Sequence, residues 1–255
     1  MHVLSPTLRT ETYAEMVFRL AGEGLIGFYQ INETGNPTTV QDISGRGHHA
    51  PVLNAANGLF FGADSNPWPD TPMLSSRATA LPASCIDLYA SGLPADFNGQ
   101  EGSLLVWLAI NDPAVWTDGD RFAVSLLSTD QVKDSIGIYK TALGRIYISY
   151  LAGGVSKASQ PPITYDQGLY CAGMTWSLSA PPTGEAHFYL RGWHHIGYTG
   201  LGTWTNPLRS DAALIGSDWK ANSLTWVWKG TIGPVIFWNR ALPRPVMEAL
   251  GVSLV

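Results

Sequence analysis

Carboxylates decide first what this chain could catalyse. Cleaving a glycosidic bond takes two of them, about 5–5.5 Å apart in a retaining enzyme. On a strand, alternate residues share a face, so such a pair would read Glu-x-Asp-x-Glu or Glu-x-Asp-x-x-Glu. The glutamates stand at positions 11, 15, 23, 33, 101, 185 and 248. None lies two or four residues from another acid in a strand-like run, so hydrolysis ranks last and the chain is expected not to be an enzyme. A hard cation is the next option. Asp112, Asp118 and Asp120 crowd the run NDPAVWTDGD, and Asp211 with Asp218 forms a looser group. Calcium takes six to eight oxygens, which makes it the one cofactor to test, although acidic turn residues in water explain the same pattern. His48-His49 and His194-His195 could feed a transition metal. Neighbouring strand residues face opposite ways, so each pair supplies one ligand at most, and turn or surface histidines are the plainer reading.

Recognition is better provided for than catalysis. Trp193, Tyr198, Trp204 and Trp219 sit among Gly, Thr, Ser and Asn. Aromatic faces stack on the C–H surface of a sugar while amides and hydroxyls fix its orientation. The same residue types anchor subunit interfaces and also fill cores. All three readings stay open for these four residues.

The elements that must position them are mostly strands. Residues Thr12–Ala21 form the clearest helix: Tyr13, Met16, Val17, Leu20 and Ala21 follow the helical stripe. Thr12 and Glu15 fit a capping box, and Gly22 or Gly24 supplies the left-handed stop. This helix packs on the rest of the domain or on another subunit. Leu25–Gln30 reads as a strand, and Asp42-Ile43-Ser44-Gly45-Arg46-Gly47 as a tight turn closed by the Asp side chain. Ser103–Ile110 is apolar on both parities, so it is expected to lie centrally with both faces covered. Further strands are expected at Leu59–Phe61, Ile86–Tyr89, Phe122–Leu127, Ser135–Tyr139, Arg145–Leu151, Leu169–Ser177, Glu185–Arg191, Ala212–Gly216, Leu224–Lys229 and Ile232–Asn239. Ala63–Pro82 and Gly192–Asp211 read as loops. Strands that recur between turns, with almost no helix, point to an antiparallel sandwich.

Two stretches carry a family resemblance. In GLIGFYQINETGNPTTVQDISGRGHHAP, from Gly24 to Pro51, Phe28-Tyr29 makes an aromatic strand and Glu33-Thr34-Gly35 an acidic turn. Asp42, Ser44, Gly45 and Gly47 make an Asp-x-Ser-Gly-x-Gly turn before His48-His49. In GTIGPVIFWNRALPRPVMEALG, from Gly230 to Gly251, a strand ends in Asn239-Arg240-Ala241-Leu242 before a short helix. Between them lie Gly102–Trp107, Tyr170–Trp176 and Phe188-Tyr189-Leu190-Arg191-Gly192. Order and spacing resemble the laminin-G-like, concanavalin A-like lectin/glucanase family. Ala50, Arg191 and Pro243 depart from its usual residues. The resemblance implies an all-β, concanavalin A-like jelly-roll β-sandwich with an N-terminal helix and a short C-terminal helix. It divides the chain into an arm and helix at 1–23 and a sandwich at 24–255, with the two ends of the sandwich adjacent in space. The helical lead-in also looks like that of viral and bacterial versions of the module. The fold does not fix an activity.

Composition narrows the setting. Charged residues make up 14% of the chain, against about 25% in an average globular protein. Ten tryptophans and ten tyrosines accompany a net charge of −5 with no basic run, which excludes a nucleic-acid partner. No apolar run reaches membrane-spanning length, and the first twenty residues lack the apolar segment of a secretory signal. Cys85 and Cys171 allow one disulfide or two buried thiols. The expectation is a non-enzymatic structural or adhesion protein at the surface of a virion, of the phage kind, decorating a capsid or forming part of a tail. Its partners would be other virion proteins, further copies of itself as a homo-oligomer, and host-surface glycan. The alternative is a carbohydrate-binding module, free, on a cell surface or exported by a non-classical route; a glycoside hydrolase comes third.

Overall fold

Thr12 opens helix α1 (Tyr13–Ala21): its hydroxyl accepts the Glu15 amide while the Glu15 carboxylate accepts the Thr12 amide. Gly22 keeps right-handed backbone, and Gly24, at φ +74°, makes the left-handed turn into the first strand. The computed structural model describes residues 11–64, 73–76, 82, 84–161, 168–181, 183–220 and 226–252. The strands among them are β1 (Leu25–Tyr29), β2 (Thr39–Val40), β3 (Ala50–Leu53), β4 (Leu59–Asp64), β5 (Met73–Ser76), β6 (Cys85–Asp87), β7 (Glu101–Ala109) and β8 (Arg121–Ser128). They continue with β9 (Ser135–Lys140), β10 (Ile146–Ala152), β11 (Val155–Ser159), β12 (Tyr170–Ser177), β13 (Glu185–Leu190), β14 (Trp193–Thr199), β15 (Leu208–Ile215) and β16 (Gly230–Trp238). Helix α2 (Arg244–Val252) follows.

Two antiparallel sheets result. The first runs β14-β13-β12-β7-β16-β5-β4, with β1 paired to the C-terminal half of β16; the second runs β11-β10-β9-β8-β15-β6-β3-β2. Leu25 faces Trp238 and Tyr29 faces Val235 across the β1–β16 pair, so the two terminal signatures are neighbours, as the resemblance implies. The protein is a jelly-roll β-sandwich with two short helices.

Strand β7 shows why a continuous apolar run was needed. Leu104, Val106 and Leu108 point into the core between the sheets. Leu105 and Trp107 point the other way, into a second cluster with Val17, Ala21, Phe28, Cys171, Trp238, Met247 and Leu250. Both helices therefore cover the outer face of the first sheet. The Trp107 indole N–H donates to the Tyr13 hydroxyl at 3.0 Å, which donates to the Leu250 carbonyl at 3.2 Å. The Trp238 indole donates to the Ala21 carbonyl at 2.7 Å. Val17 and Ala21 of α1 thus pack on its own sandwich, while Phe18 stays exposed.

Three expectations change. Ala63–Pro82, read as a loop, contains β5, whose buried Leu74 joins the core; residues 65–72, 77–81 and 83 lie outside the described residues. Gly192–Asp211, also read as a loop, begins with β14. Arg191 and Gly192 take φ values of 55° and 73°, a tight turn that folds β14 back onto β13. Leu224–Lys229, read as a strand, has its first two residues outside the described set. Trp226–Lys229 run as a connection held to β8 by a bridge from Val227 to Phe122, by Arg121 donating to the Val227 carbonyl and by the Trp226 ring against Phe122. Cys85 and Cys171 are both free and buried, on β6 of one sheet and β12 of the other.

Candidate functional site

Two connections cross from sheet to sheet and meet at one rim of the sandwich. Leu88–Gln100 leads from β6 to β7, and Gly200–Pro207 leads from β14 to β15. Between them lies a cleft of about 460 Å³, lined by Tyr89, Pro94, Phe97, Asn98, Gly99, Gln100, Trp204, Thr205, Asn206, Pro207 and Leu208. No Asp, Glu, His, Lys or Arg is in this lining.

Core side chains hold the first connection from behind. The Tyr150 hydroxyl donates to the Gly99 carbonyl at 2.8 Å and the Trp176 indole to the Asn98 carbonyl at 3.3 Å. Asn98 closes its own turn: its side-chain oxygen accepts the Gln100 amide at 2.9 Å. Gly99 has no substitute, because a Cβ there would lie inside the Trp204 indole.

A buried carboxylate organises the second connection. Asp134, just before β9, accepts the amides of Gly153 at 2.8 Å, Thr205 at 3.3 Å and Asn206 at 3.1 Å, and the Asn206 side-chain NH₂ at 2.6 Å. Burial pushes the Asp134 pKa up, but these four donors outweigh it and hold the carboxyl below the usual carboxylate range. The Trp204 indole donates to the Asn206 carbonyl at 2.7 Å, and Gln100 Nε2 bridges to the Trp204 carbonyl at 3.4 Å, joining the two connections.

The four aromatic residues singled out in the sequence do not converge. Trp204 is only 7% exposed and packs between Phe97 and Tyr150, with one edge on the cleft. Tyr198 leans edge-on against Phe188 with Lys157 above its ring. Trp219 is half-buried under the Arg209 guanidinium, and its indole donates to Asp211 at 2.7 Å. Trp193 is 72% exposed on the edge strand. Core packing therefore accounts for most of Trp204 and Tyr198. The sequence reading passed over Phe97, Asn98, Gln100 and Asn206. Their signal is Asp-Phe-Asn-Gly-Gln at 96–100 and Trp-Thr-Asn-Pro at 204–207, two turns that each pair an aromatic residue with amides. Nothing in spacing says that turns over a hundred residues apart share a rim.

The acidic trio does not gather around a cation position. Asp112 caps the turn after it by accepting the Ala114 amide, and Asp120 accepts the Ala142 amide. Asp118 is filled by cations. Arg121 reaches both its oxygens at 3.0 and 2.6 Å, Lys140 one at 2.8 Å and Lys229 the other at 2.9 Å. Burial raises the Asp118 pKa, but the three cations more than offset it and hold it far below the carboxylate range. Three positive groups leave neither lone pairs nor negative charge for calcium. Among the described residues no group of three His, Cys, Asp or Glu side chains is placed to hold a metal.

The histidines serve the framework. Asp42 accepts the amides of Phe28, Ser44 and His48, each at 2.9 Å, and the Ser44 hydroxyl at 2.8 Å, closing the turn as expected. His49 accepts the Asp42 amide, and His48 pairs with Asp96 at 2.9 Å. His194 meets His187 across the β13–β14 pair at 3.1 Å, and His195 meets the Ser159 hydroxyl at 2.8 Å.

No family model and no curated protein matches the chain. Solved structures do match it. The receptor binding domain of the botulinum neurotoxin C/D mosaic serotype aligns at TM-score 0.59 and 12% identity, over 90% of this chain and 51% of that one. A Ruminococcus gnavus sialidase carbohydrate-binding module (CBM40), bound to α2,3 sialyllactose, aligns at 0.52 and 9%, over 66% and 92%. A Trypanosoma rangeli sialidase in complex with sialic acid aligns at 0.53 and 18%, over 90% and 33%. The chain thus spans about half the length of the toxin binding domains. Identities this low establish a shared lectin-like sandwich and no more.

Proposed function

We propose that this chain is a non-catalytic, lectin-like module that binds glycan in the cleft between Phe97 and Asn206. The observation that carries the proposal is the lining itself. Half-buried Phe97 and exposed Tyr89 supply apolar surface, and Asn98, Gln100 and Asn206 supply amides. A few placed polar groups on an aromatic wall form the usual make-up of a small-molecule site. A lining without Asp, Glu or His supports the absence of catalysis, since glycosidases of the ordinary kind need a carboxylate pair. The fold bears on recognition alone, since it is shared with a carbohydrate-binding module and toxin binding domains and equally with a sialidase.

Within this proposal, attachment to a host surface from a virion remains the setting that low charge and aromatic content favour. The similar structures carry no argument for it. The buried face of α1 is spent on its own sheet, which leaves its exposed face, with Phe18, among the surfaces open to self-assembly.

The test is glycan-array binding followed by calorimetry on the best hit, for the native chain and for Tyr89→Ala and Phe97→Ala. Truncating an anchoring aromatic costs upwards of about 1 kcal/mol at a binding site, so each variant is expected to weaken binding roughly tenfold. Trp204→Ala is a poorer test, because it would also open a core cavity worth about 3–5 kcal/mol of stability. Silence across the array, or a hit indifferent to both variants, removes the cleft as the site.

A further inference from the structure

The polarity of the cleft's amides is set from behind, and it specifies the ligand. This inference rests on the glycan-binding reading and names the class of sugar. A carboxylate can only accept hydrogen bonds. Buried Asp134 therefore compels Asn206 to turn its NH₂ inward, where it also reaches Thr205 Oγ1 at 3.2 Å. That leaves Asn206 Oδ1 for a ligand. A backbone N–H can only donate, so the Gln100 amide compels Asn98 to turn its oxygen inward and offer Nδ2. A backbone carbonyl can only accept, so the Trp204 carbonyl takes Gln100 Nε2 and leaves Gln100 Oε1. The cleft thus presents two carbonyl oxygens, the Asn98 NH₂, the second N–H of Gln100 Nε2 and the Tyr89 hydroxyl.

We infer that the cleft takes an uncharged sugar through its hydroxyls and rejects sugars that carry a carboxylate or sulfate. A hydroxyl both donates and accepts, so it satisfies Oδ1, Oε1 and Nδ2 alike. An anion can only accept, and it would face two acceptor oxygens with the Asp134 charge directly behind one of them. The cations next to these residues in the chain are already paired. Lys133, next to Asp134 in the chain, is paired with Asp130 at 3.1 Å. Arg209, just past the lining residue Leu208, is paired with Asp211 at 2.9 Å. Burying a charge without a partner is costly, and the chain's net charge of −5 adds long-range repulsion. On this inference sialyllactose, the ligand of the similar carbohydrate-binding module, is expected not to bind here.

The experiment uses the full chain in affinity electrophoresis through two sets of polysaccharide. The neutral set is glucan, mannan, galactan and soluble chitin; the acidic set is polygalacturonate, alginate and polysialic acid. Both are run at low and high sodium chloride. The expected result is retardation by at least one neutral polymer, none by the acidic set, and no salt dependence. The double variant Asn98→Ala/Gln100→Ala, both exposed positions, is expected to lower the neutral affinity about 5- to 30-fold, the loss of one or two hydrogen bonds. Salt-sensitive retardation by an acidic polymer that the double variant abolishes overturns the inference while leaving a glycan-binding cleft. Neutral binding that the double variant leaves intact overturns it by placing the sugar elsewhere. Retardation by neither set overturns both this inference and the reading beneath it.

Discussion

Asp118 and Asp134 are two carboxylates bound to the same half of the second sheet, and they are satisfied in opposite ways. Asp118 gathers three cations, Arg121, Lys140 and Lys229, and closes a framework corner where the 113–117 turn meets β8. Asp134 gathers only neutral N–H groups and shapes the loop that forms one wall of the cleft. The first neutralises charge that the fold has already buried: Lys140 is fully buried and Arg121 is 3% exposed. The second keeps its charge and spends it on orienting amides. An acid encircled by cations is structural, whereas an acid encircled by amides can pass its polarity to whatever those amides face next.

The largest effect that would sharpen this contrast is loss of Asp118. Asp118→Ala takes the carboxylate from buried Arg121 and Lys140 and is expected to cost about 3–5 kcal/mol of stability in urea unfolding, with glycan affinity unchanged in the fraction that stays folded. A loss of affinity beyond that would break the distinction. Asp134→Ala is expected to cost about 3 kcal/mol, from hydrogen bonds to a charged group. It should also lower glycan affinity at least tenfold, because Asn206 is no longer held to one orientation. Unchanged affinity in a folded Asp134→Ala protein would remove the link between the hub and the cleft.

Acid gives a smaller, shared effect. Both carboxyls lie below their unfolded value, which is about 3.9. The unfolded chain therefore binds more protons than the native one in the window beneath that value. Stability from both hubs is fully present above about pH 5 and falls as pH drops through the native pKa values. Thermal melts from pH 7 to pH 2 should be flat and then decline below about pH 4. Either alanine variant should show a shallower decline, and a fall that begins near pH 6 would implicate histidines instead. The smallest effect is expected at Trp193. Trp193→Ala removes a side chain that is 72% exposed and should move stability by no more than about 0.5 kcal/mol. It should leave affinity for the cleft's ligand untouched; a loss there would extend the site to the β14 edge.

Much of the framework was legible in the sequence because its signals are local. The Thr12/Glu15 capping box, the Asp42 turn with its positive-φ glycines, the doubly apolar β7 and the closing Asn239–Leu242 signature each act within a few residues. That the two ends of the sandwich lie side by side followed from the family resemblance that spans the chain; the register of β1 against β16 did not. β5 and β14 were missed because one hides among prolines and the other among glycines and tryptophans. Their pairing to neighbours prevails over weak propensity.

The candidate site was legible only in its ingredients. Composition determined that the chain is rich in aromatics and carries no strand-spaced acid pair, and the turn residues determined where the chain could cross between sheets. The tertiary structure decided which aromatics face a cleft. Trp204 is drawn into the core because its indole seats against Gly99, Phe97 and Tyr150, and Phe97 is left at the rim. It also decided the fate of each acid, since whether a carboxylate meets cations or amides depends on strands far apart in sequence. Asp134 lies 72 residues from Asn206 in the chain, and no local pattern records that a charge at one fixes the amide at the other.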